Sequence, residues 1–157
     1  MLTVDIPGQG VLNLEHIVLD FNGTMALDGV LLSGVKDRLN LLAEKLQVHI
    51  LTADTFGTGK AACREIKGRV HILEQGRAGA ELKKEFIEAL GKEKTVAVGN
   101  GTNDTLMLKA AALGIMVLGP EGASGKALAA ADVVVTDINH GLDMLLNPKR
   151  LVATLRA

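Results

Sequence analysis

The stretch IVLDFNGT, residues 17–24, decides how this chain folds. A short apolar run ends at Asp20, and the pair Asn22-Gly23 follows it with residues that are typical of turns. Asp20 is therefore either the last residue of a strand before an ordinary turn or a nucleophile placed at a strand end. The rest of the sequence has to decide between these two interpretations.

Similar apolar runs recur along the chain, and most are short, rich in β-branched residues and apolar on both faces. After residue 24 they are VHILT (48–52), RVHIL (69–73), TVAVG (95–99), GIMVL (114–118) and DVVVT (132–136). Helical patterns separate them, which predicts an α/β fold: a Rossmann-like, doubly wound three-layer sandwich around a mostly parallel sheet. Alternating apolar residues on both sides of PGQG (7–10) add an N-terminal β-hairpin.

The helical segments are predicted from apolar stripes and from residues that start or stop helices. They cover residues 34–46, 78–91, 103–113 and 123–131, and a short tail helix that begins at Pro148. No linker, repeat or low-complexity segment interrupts residues 1–157, so we expect a single domain.

Composition excludes several classes of function. Apolar residues make up 48% of the 157 residues and charged residues 22%, as in ordinary globular proteins. Three Phe, no Trp and no Tyr offer few stacking platforms, and a net charge of −1 gives no basic surface, so we expect no nucleic-acid partner. The single Cys63 excludes an internal disulfide, and neither a signal peptide nor a membrane span is visible. These features predict a cytoplasmic protein with no membrane partner.

Ligands of open α/β sheets bind at the carboxyl ends of the strands, so the residues that follow each strand are the candidates for a site. Three of these loops are rich in Asp, Asn, Thr and Gly, which supply hard oxygen ligands, hydroxyls and exposed N–H groups. A magnesium–phosphate site would need this set. The residues are Asp20, Asn22, Gly23 and Thr24; Thr52, Asp54 and Thr55; and Gly99 to Asp104.

Taken in order, these segments resemble the motifs of the haloacid dehalogenase-like superfamily of aspartyl phosphotransferases. IVLDFNGT resembles the first motif, VHILT the second, the lysine of KKEFIEAL the third and VAVGNGTND the fourth. The segments LTADTFGTGKAA and GNGTNDTLMLKAAALGI further resemble the phosphorylation domain of P-type ATPases. Only residues 25–51 separate the first two motifs, which leaves room for a flap (26–35) and one helix. The chain therefore resembles a free-standing, capless relative of that domain.

The resemblance implies a role for each matching residue. Asp20 would be the nucleophile, and Asn22 would stand where an acid–base residue is usual. Thr52 and Lys83 would bind the phosphoryl group, together with Gly23, Thr24, Ala53, Asp54 and Asn103. Mg²⁺ would be held by Asp20, Asn22, Asn100 and Asp104. We favour Lys83 over Lys84 because of its register with Phe86 and Ile87.

Some roles stay open on the sequence alone. A single lysine is most often simply solvated. Asp104 could cap the helix that follows it, and Asp54 and Thr55 could line the substrate entrance or cap a helix near residue 58. The four histidines (16, 49, 71 and 140) lack the close spacing of metal ligands, so we do not expect zinc.

Two amides, Asn22 and Asn100, replace the acids of standard phosphatases in this superfamily. General acid–base catalysis contributes about 10²–10⁴-fold, so an amide at position 22 should slow turnover. We therefore expect a slow magnesium-dependent phosphatase or phosphotransferase that acts on a phosphate ester. The alternative is a non-catalytic module that binds phosphate or metal, or a partner protein, on the same fold. A capless site is open, so a homo-oligomer could close it. The sequence does not name the substrate.

Overall fold

The fold, obtained as a computed structural model, is described for residues 1–54 and 57–157. Its strands are β1 (Leu2–Ile6), β2 (Gly10–Leu14), β3 (His16–Asp20), β4 (Ala26–Leu27), β5 (Val30–Leu31), β6 (Gln47–Thr52), β7 (Arg69–Ile72), β8 (Thr95–Gly99), β9 (Leu113–Val117) and β10 (Val133–Val135). Its helices are α1 (Val35–Leu42), α2 (Thr58–Ala62), α3 (Gly79–Leu90), α4 (Thr105–Ala110), α5 (Gly125–Ala130), α6 (Ile138–Leu146) and α7 (Pro148–Leu155). Short 3₁₀ turns at Lys92–Lys94 and Thr102–Asp104 precede β8 and α4.

Six strands form the central sheet in the order β10-β9-β8-β3-β6-β7, and every neighbouring pair is parallel. β3 lies in the middle, with β6 on one side and β8 on the other. Because the strands are parallel, their carboxyl ends meet at one edge, and the loops after β3, β6 and β8 are neighbours there. The predicted α/β fold is confirmed, and so is the N-terminal hairpin, in which β1 and β2 pair antiparallel.

Helices cover both faces of the sheet and so make the three layers. Ile17 and Leu19 of β3 face a large core that is filled by the hairpin, α1, α6 and α7, whereas Val18 faces a smaller core against α3, α4 and α5. All three side chains are fully buried, and each contributes about 1.5–3 kcal/mol through the hydrophobic effect. A strand that is apolar on both faces therefore marks the middle of this sheet.

Helix α6 is the element that was not predicted from the sequence. It contains Gly141, which is a poor helix former, and it stops at Asn147 before Pro148. Gly141 lies against the sheet, where a side chain on it would contact Ile115 and Val135 at 3.4 Å. The other predicted helices are present but shorter, and the tail helix begins at Pro148 as predicted.

The segment between β3 and β6 holds a two-stranded hairpin, β4–β5, and helix α1. Asp28 and Gly29 form its turn with positive φ values of 51° and 81°, the geometry that a type I′ Asp-Gly turn requires. This hairpin occupies the place of the predicted flap. None of the helices in the described part of the chain is long and apolar enough to cross a membrane.

Candidate active site

Asp20 is the last residue of β3, and its carboxylate accepts hydrogen bonds at both oxygens. Lys83 donates to Oδ1 at 2.7 Å, and the Thr24 hydroxyl lies 3.2 Å from Oδ2. The side chain is only 13% exposed. Asp20 is therefore not a solvated turn residue but a carboxylate held in place at the centre of the sheet edge.

Lys83 is buried, although lysine is almost never found fully buried without a partner. It lies on the inner face of α3, one turn before the buried Ile87, and its ammonium also donates to Oδ1 of Asp104 at 2.7 Å. The neighbouring Lys84 instead lies at the surface, 3.7 Å from Glu88. The structure thus brings Lys83, and not Lys84, to Asp20.

Asp104 fixes both the lysine and the loop after β8. Its second oxygen, Oδ2, accepts hydrogen bonds from the backbone N–H groups of Asn100 and Gly101, each at 2.9 Å. Its carboxylate packs so closely on Gly99 that a side chain there would lie 2.5 Å from its Cγ. Asp104 makes no side-chain cap at the start of α4 itself, but its bond to Gly101 N is a capping-box contact of the 3₁₀ turn Thr102–Asp104 that leads into α4.

Burial and the neighbouring charges shift the pKa values of Asp20 and Lys83. Burial, and then the negative charge of Asp104, raise the pKa of Asp20 to about 6, against the opposing pull of Lys83. The pKa of Lys83 is raised above its usual value, because the two carboxylates outweigh the opposing effect of burial. One ammonium is thus shared by two carboxylates, which leaves one negative charge uncompensated beside the strand end.

Asn22 is exposed, and its side chain holds the hairpin β4–β5. Its Oδ1 accepts a hydrogen bond from the backbone N–H of Gly29 at 2.9 Å. The predicted phosphate ligands Gly23 and Thr24 lie in the turn behind it, where their N–H groups already donate to Ala26 O and Phe21 O. The structure therefore gives Gly23 and Thr24 a supporting role, because neither N–H group is free to reach a phosphate.

The loop after β6 presents Thr52 to the same edge. Its hydroxyl oxygen accepts from the backbone N–H of Asp54 at 3.0 Å, which leaves the hydroxyl proton to donate elsewhere. The Asp54 carboxylate accepts a hydrogen bond from Gly59 N in the first turn of α2 at 2.8 Å and also lines the cavity beside Ala53. Thr55 lies outside the described residues.

The oxygen atoms beside Asp20 suit a magnesium ion. The Thr24 hydroxyl lies 3.2 Å from Oδ2 of Asp20 and 3.2 Å from Oδ1 of Asn100, so two hard oxygen ligands contact the same hydroxyl. Within residues 1–54 and 57–157, no group of three or more His, Cys, Asp or Glu side chains is arranged to hold a metal ion. Mg²⁺ would therefore depend on amide and main-chain oxygens in addition to Asp20.

A cavity of about 610 Å³ opens in front of these groups. Its walls include most of the predicted residues, namely Asp20, Asn22, Thr52, Ala53, Asp54, Lys83, Asn100 and Asn103. They also include residues that the sequence reasoning missed, among them Glu74, Gln75, Arg77 and Glu121. The missed residues follow β7 and β9, so extending the strand-end rule to those two strands would have found them.

Comparison with known proteins shows which proteins this chain is similar to. No protein-family model matches the chain. An uncharacterised protein of Methanocaldococcus jannaschii is 53% identical over 90 residues, which cover 54% of this chain and 97% of that protein. A soluble P-type ATPase-like phosphatase of the same organism is 31% identical over 124 residues, which cover 77% of this chain and 45% of that protein.

Among solved structures, the fold is similar to that of 3-deoxy-D-manno-octulosonate 8-phosphate phosphatase from Moraxella catarrhalis, in complex with magnesium, phosphate and its sugar. The TM-score is 0.65 at 17% identity, and the match covers 92% of this chain and 95% of that one. The chain shares its fold with these haloacid dehalogenase-like proteins.

These similarities confirm the resemblance inferred from the four motifs. The similarity to the soluble phosphatase also confirms the P-type ATPase-like branch. Against that background, the two amides stand out: Asn22 is bound to the hairpin β4–β5, and Asn100 lies beside Asp20.

Away from the site, three histidines of this haloacid dehalogenase-like domain meet, although 33 and 22 residues separate them in sequence. His49 on β6 lies 3.3 Å from His16 on β3 and 3.2 Å from His71. Burial, and then the two neighbouring rings, lower the pKa of His49 to about 4. The wide sequence spacing hid this cluster because parallel pairing, and not chain proximity, brings the rings together.

Proposed function

We propose that this chain is a magnesium-dependent phosphatase or phosphotransferase that acts on a phosphate ester through an aspartyl-phosphate at Asp20. One observation carries the proposal: a carboxylate at the end of the central strand faces the cavity and is held there by the buried Lys83. The relative named as a soluble phosphatase supports the same class of reaction.

The chemistry would proceed in two steps. A carboxylate oxygen of Asp20 attacks phosphorus, the bond between phosphorus and the ester oxygen breaks, and the alcohol leaves with a proton from solvent. Water then attacks the aspartyl-phosphate, the Asp20–phosphorus bond breaks, and inorganic phosphate and the free carboxylate are restored. An alcohol in place of water would give the phosphotransferase reaction.

Thr52 and Lys83 would stabilise the transferred group. The Thr52 hydroxyl has its proton free to donate to a phosphoryl oxygen, and the Lys83 ammonium is fixed beside Asp20, where charge develops. Asp104 would act as the positioning residue for Lys83, since protein donors already occupy both of its oxygens. Its predicted part in holding Mg²⁺ stays a prediction.

Mg²⁺ would be held by Asp20, by the amide oxygen of Asn100 and by the main-chain carbonyl of Asn22. When bound, it would neutralise negative charge on the phosphoryl oxygens. The Asn22 side chain is not offered as a ligand, because its oxygen already accepts from Gly29.

Asn22 should make turnover slow, because an amide can neither protonate the leaving oxygen nor activate water. Substrates whose leaving group needs no proton, such as acyl or aryl phosphates, should therefore react faster than alkyl phosphates. The cavity is open to solvent between the loops, so a large substrate or a second copy of the chain could cover it. Closure by a homo-oligomer stays a prediction.

The test is release of a chromogenic phenol from an aryl phosphate, with Mg²⁺ or with EDTA. We expect turnover for the wild type with Mg²⁺ and none above background for Asp20→Asn. Asp5→Asn, an exposed change on the N-terminal hairpin, serves as the matched control and should leave the rate unchanged. Equal rates for the wild type and Asp20→Asn would overturn the proposal. A rise in melting temperature with Mg²⁺ and beryllofluoride but no turnover would favour the binding-module alternative.

A further inference from the structure

We propose that Glu121 is a further residue of the metal site, where its carboxylate supplies the negative charge that the amide of Asn100 does not. The inference rests on the proposed function, since it concerns the same metal ion. Glu121 lies in the loop after β9, outside the three loops that the motifs identify, and its side chain reaches the cavity that contains Asp20.

The loop that carries Glu121 is a tight turn held against the site. Gly122 N donates to Gly119 O at 2.9 Å and closes the turn around Pro120 and Glu121. Gly119 packs over the main chain of the first motif, where a side chain on it would lie 3.8 Å from the carbonyl oxygen of Gly23. The turn that presents Glu121 is therefore built onto the turn that follows Asp20.

Two hydrogen bonds tie this loop to Asn100. The side-chain Nδ2 of Asn100 donates to Gly122 O at 3.2 Å, and its main-chain carbonyl accepts from Ser124 N at 2.9 Å. An ionised aspartate at position 100 has no N–H to donate to Gly122. The amide that removes a charge from the metal site thus also anchors the loop that carries Glu121.

Gly23 provides the space into which the Glu121 carboxylate reaches. A side chain on Gly23 would overlap Oε2 of Glu121 and come within 2.7 Å of Nδ2 of Asn100. The Glu121 carboxylate and the Asn100 side-chain amide therefore lie close together above Gly23, in the same cavity that Asp20 lines.

The charge of the site explains why a carboxylate at position 121 would favour metal binding. Asp20, Asp104 and Lys83 together carry one net negative charge, and Asn100 adds none. A divalent cation is held more tightly as the number of charged oxygen ligands grows. With Glu121 the site carries two negative charges, which balance the two positive charges of Mg²⁺.

The test measures metal affinity without turnover. Mn²⁺ binding is followed by isothermal titration calorimetry for the wild type, Glu121→Gln, Asp20→Asn and the control Glu81→Gln, an exposed carboxylate on α3. We expect Glu121→Gln to weaken binding by about tenfold or more. Glu81→Gln should change it less than about twofold, in the range of a surface charge. Adding Asn100→Asp to Glu121→Gln should recover part of the loss.

The outcomes separate the two proposals. If the wild type binds Mn²⁺, Asp20→Asn loses it and Glu121→Gln binds as the wild type does, the role of Glu121 is overturned while the metal site stands. Equal losses for Glu121→Gln and Glu81→Gln would also overturn it, because the effect would then be one of overall charge. A wild type that binds no Mn²⁺ would overturn both proposals. Glu121 is exposed, so circular dichroism should show an unchanged fold for Glu121→Gln.

Discussion

Replacing Asp20 by Asn should stabilise the metal-free protein at alkaline pH, although it removes the proposed nucleophile. Burial and Asp104 raise the pKa of Asp20 from 3.8 to about 6. An acid whose pKa is raised in the folded state holds its proton more tightly there than in the unfolded state. The free energy of unfolding therefore falls as the pH rises from about 4 to about 6. A shift of about two pKa units corresponds to about 3 kcal/mol, the cost of ionising Asp20 in the folded protein. Asparagine avoids this cost because it is never ionised.

The free energy of unfolding should be measured by urea denaturation in EDTA at pH 8 and at pH 4. We expect Asp20→Asn to be more stable than the wild type by about 3 kcal/mol at pH 8, and by much less at pH 4, where Asp20 is protonated. Lys83 keeps Asp104 as its partner in this variant. Excess Mg²⁺ should narrow the gap at pH 8, because it binds and stabilises only the wild type.

The exposed change Asp5→Asn is the control and should shift stability by less than about 0.5 kcal/mol at either pH. The reasoning would be refuted if Asp20→Asn were less stable than the wild type at pH 8. It would also be refuted if the difference between the two proteins were the same at both pH values.

Three further changes test individual contacts. Asn22→Asp should raise turnover of an alkyl phosphate by about 10²-fold or more, because the carboxylate can transfer protons and can still accept from Gly29 N; steady-state assays that show no rise would contradict the assigned role. Lys83→Met should lower the free energy of unfolding at pH 8 by about 3–5 kcal/mol, since it leaves two carboxylates without their buried partner, whereas the surface change Lys84→Met should cost less than about 1 kcal/mol in the same urea titration. Thr52→Val should weaken phosphate binding, measured by calorimetry with Mg²⁺ present, by about fivefold or more, through loss of one hydroxyl donor; unchanged affinity would remove Thr52 from the site.

The sheet could be predicted from the sequence because its central strands are apolar at nearly every position. β3, β8 and β9 are buried at nearly every position, so their apolar runs carry no alternation, and only a sheet covered on both faces explains them. The order of the strands was not readable, since it depends on packing between segments far apart in the chain. Strand-end residues could still be grouped, because all parallel strands end at one edge.

Helix α6 was missed although the sequence carries signals for it. Asp137 caps its first turn by accepting a hydrogen bond from Asn139 N, and the buried residues Ile138, Leu142 and Leu145 recur at helical spacing. A nine-residue helix with an internal glycine is marginal on its own, so tertiary contacts, among them the ion pair of Asp143 with Arg38 at 2.7 Å, have to stabilise it.

Some residues of the candidate site could likewise be predicted from the sequence, and others could not. Asp20, Thr52 and Lys83 follow from the motifs, because each stands at a fixed point on a strand or helix. The strand-end rule, extended to β9, would have found the loop that carries Glu121, but not the place of Glu121 beside Asn100, because that place depends on the hydrogen bond from Asn100 Nδ2 to Gly122 O. The resemblance implied phosphate binding for the turn residues Gly23 and Thr24, whereas the tight turn uses their N–H groups internally.

The most direct test of the central claim is to trap the phosphoryl group on Asp20. The protein is incubated with Mg²⁺ and acetyl phosphate, and intact-mass spectrometry and peptide mapping at low temperature locate any adduct. We expect one phosphoryl group on Asp20 in the wild type, none in Asp20→Asn or in EDTA, and less accumulation in Asn22→Asp, which should release phosphate faster. An adduct of equal yield in Asp20→Asn, or no adduct in a wild type that hydrolyses the same phosphate, would contradict an aspartyl-phosphate at Asp20.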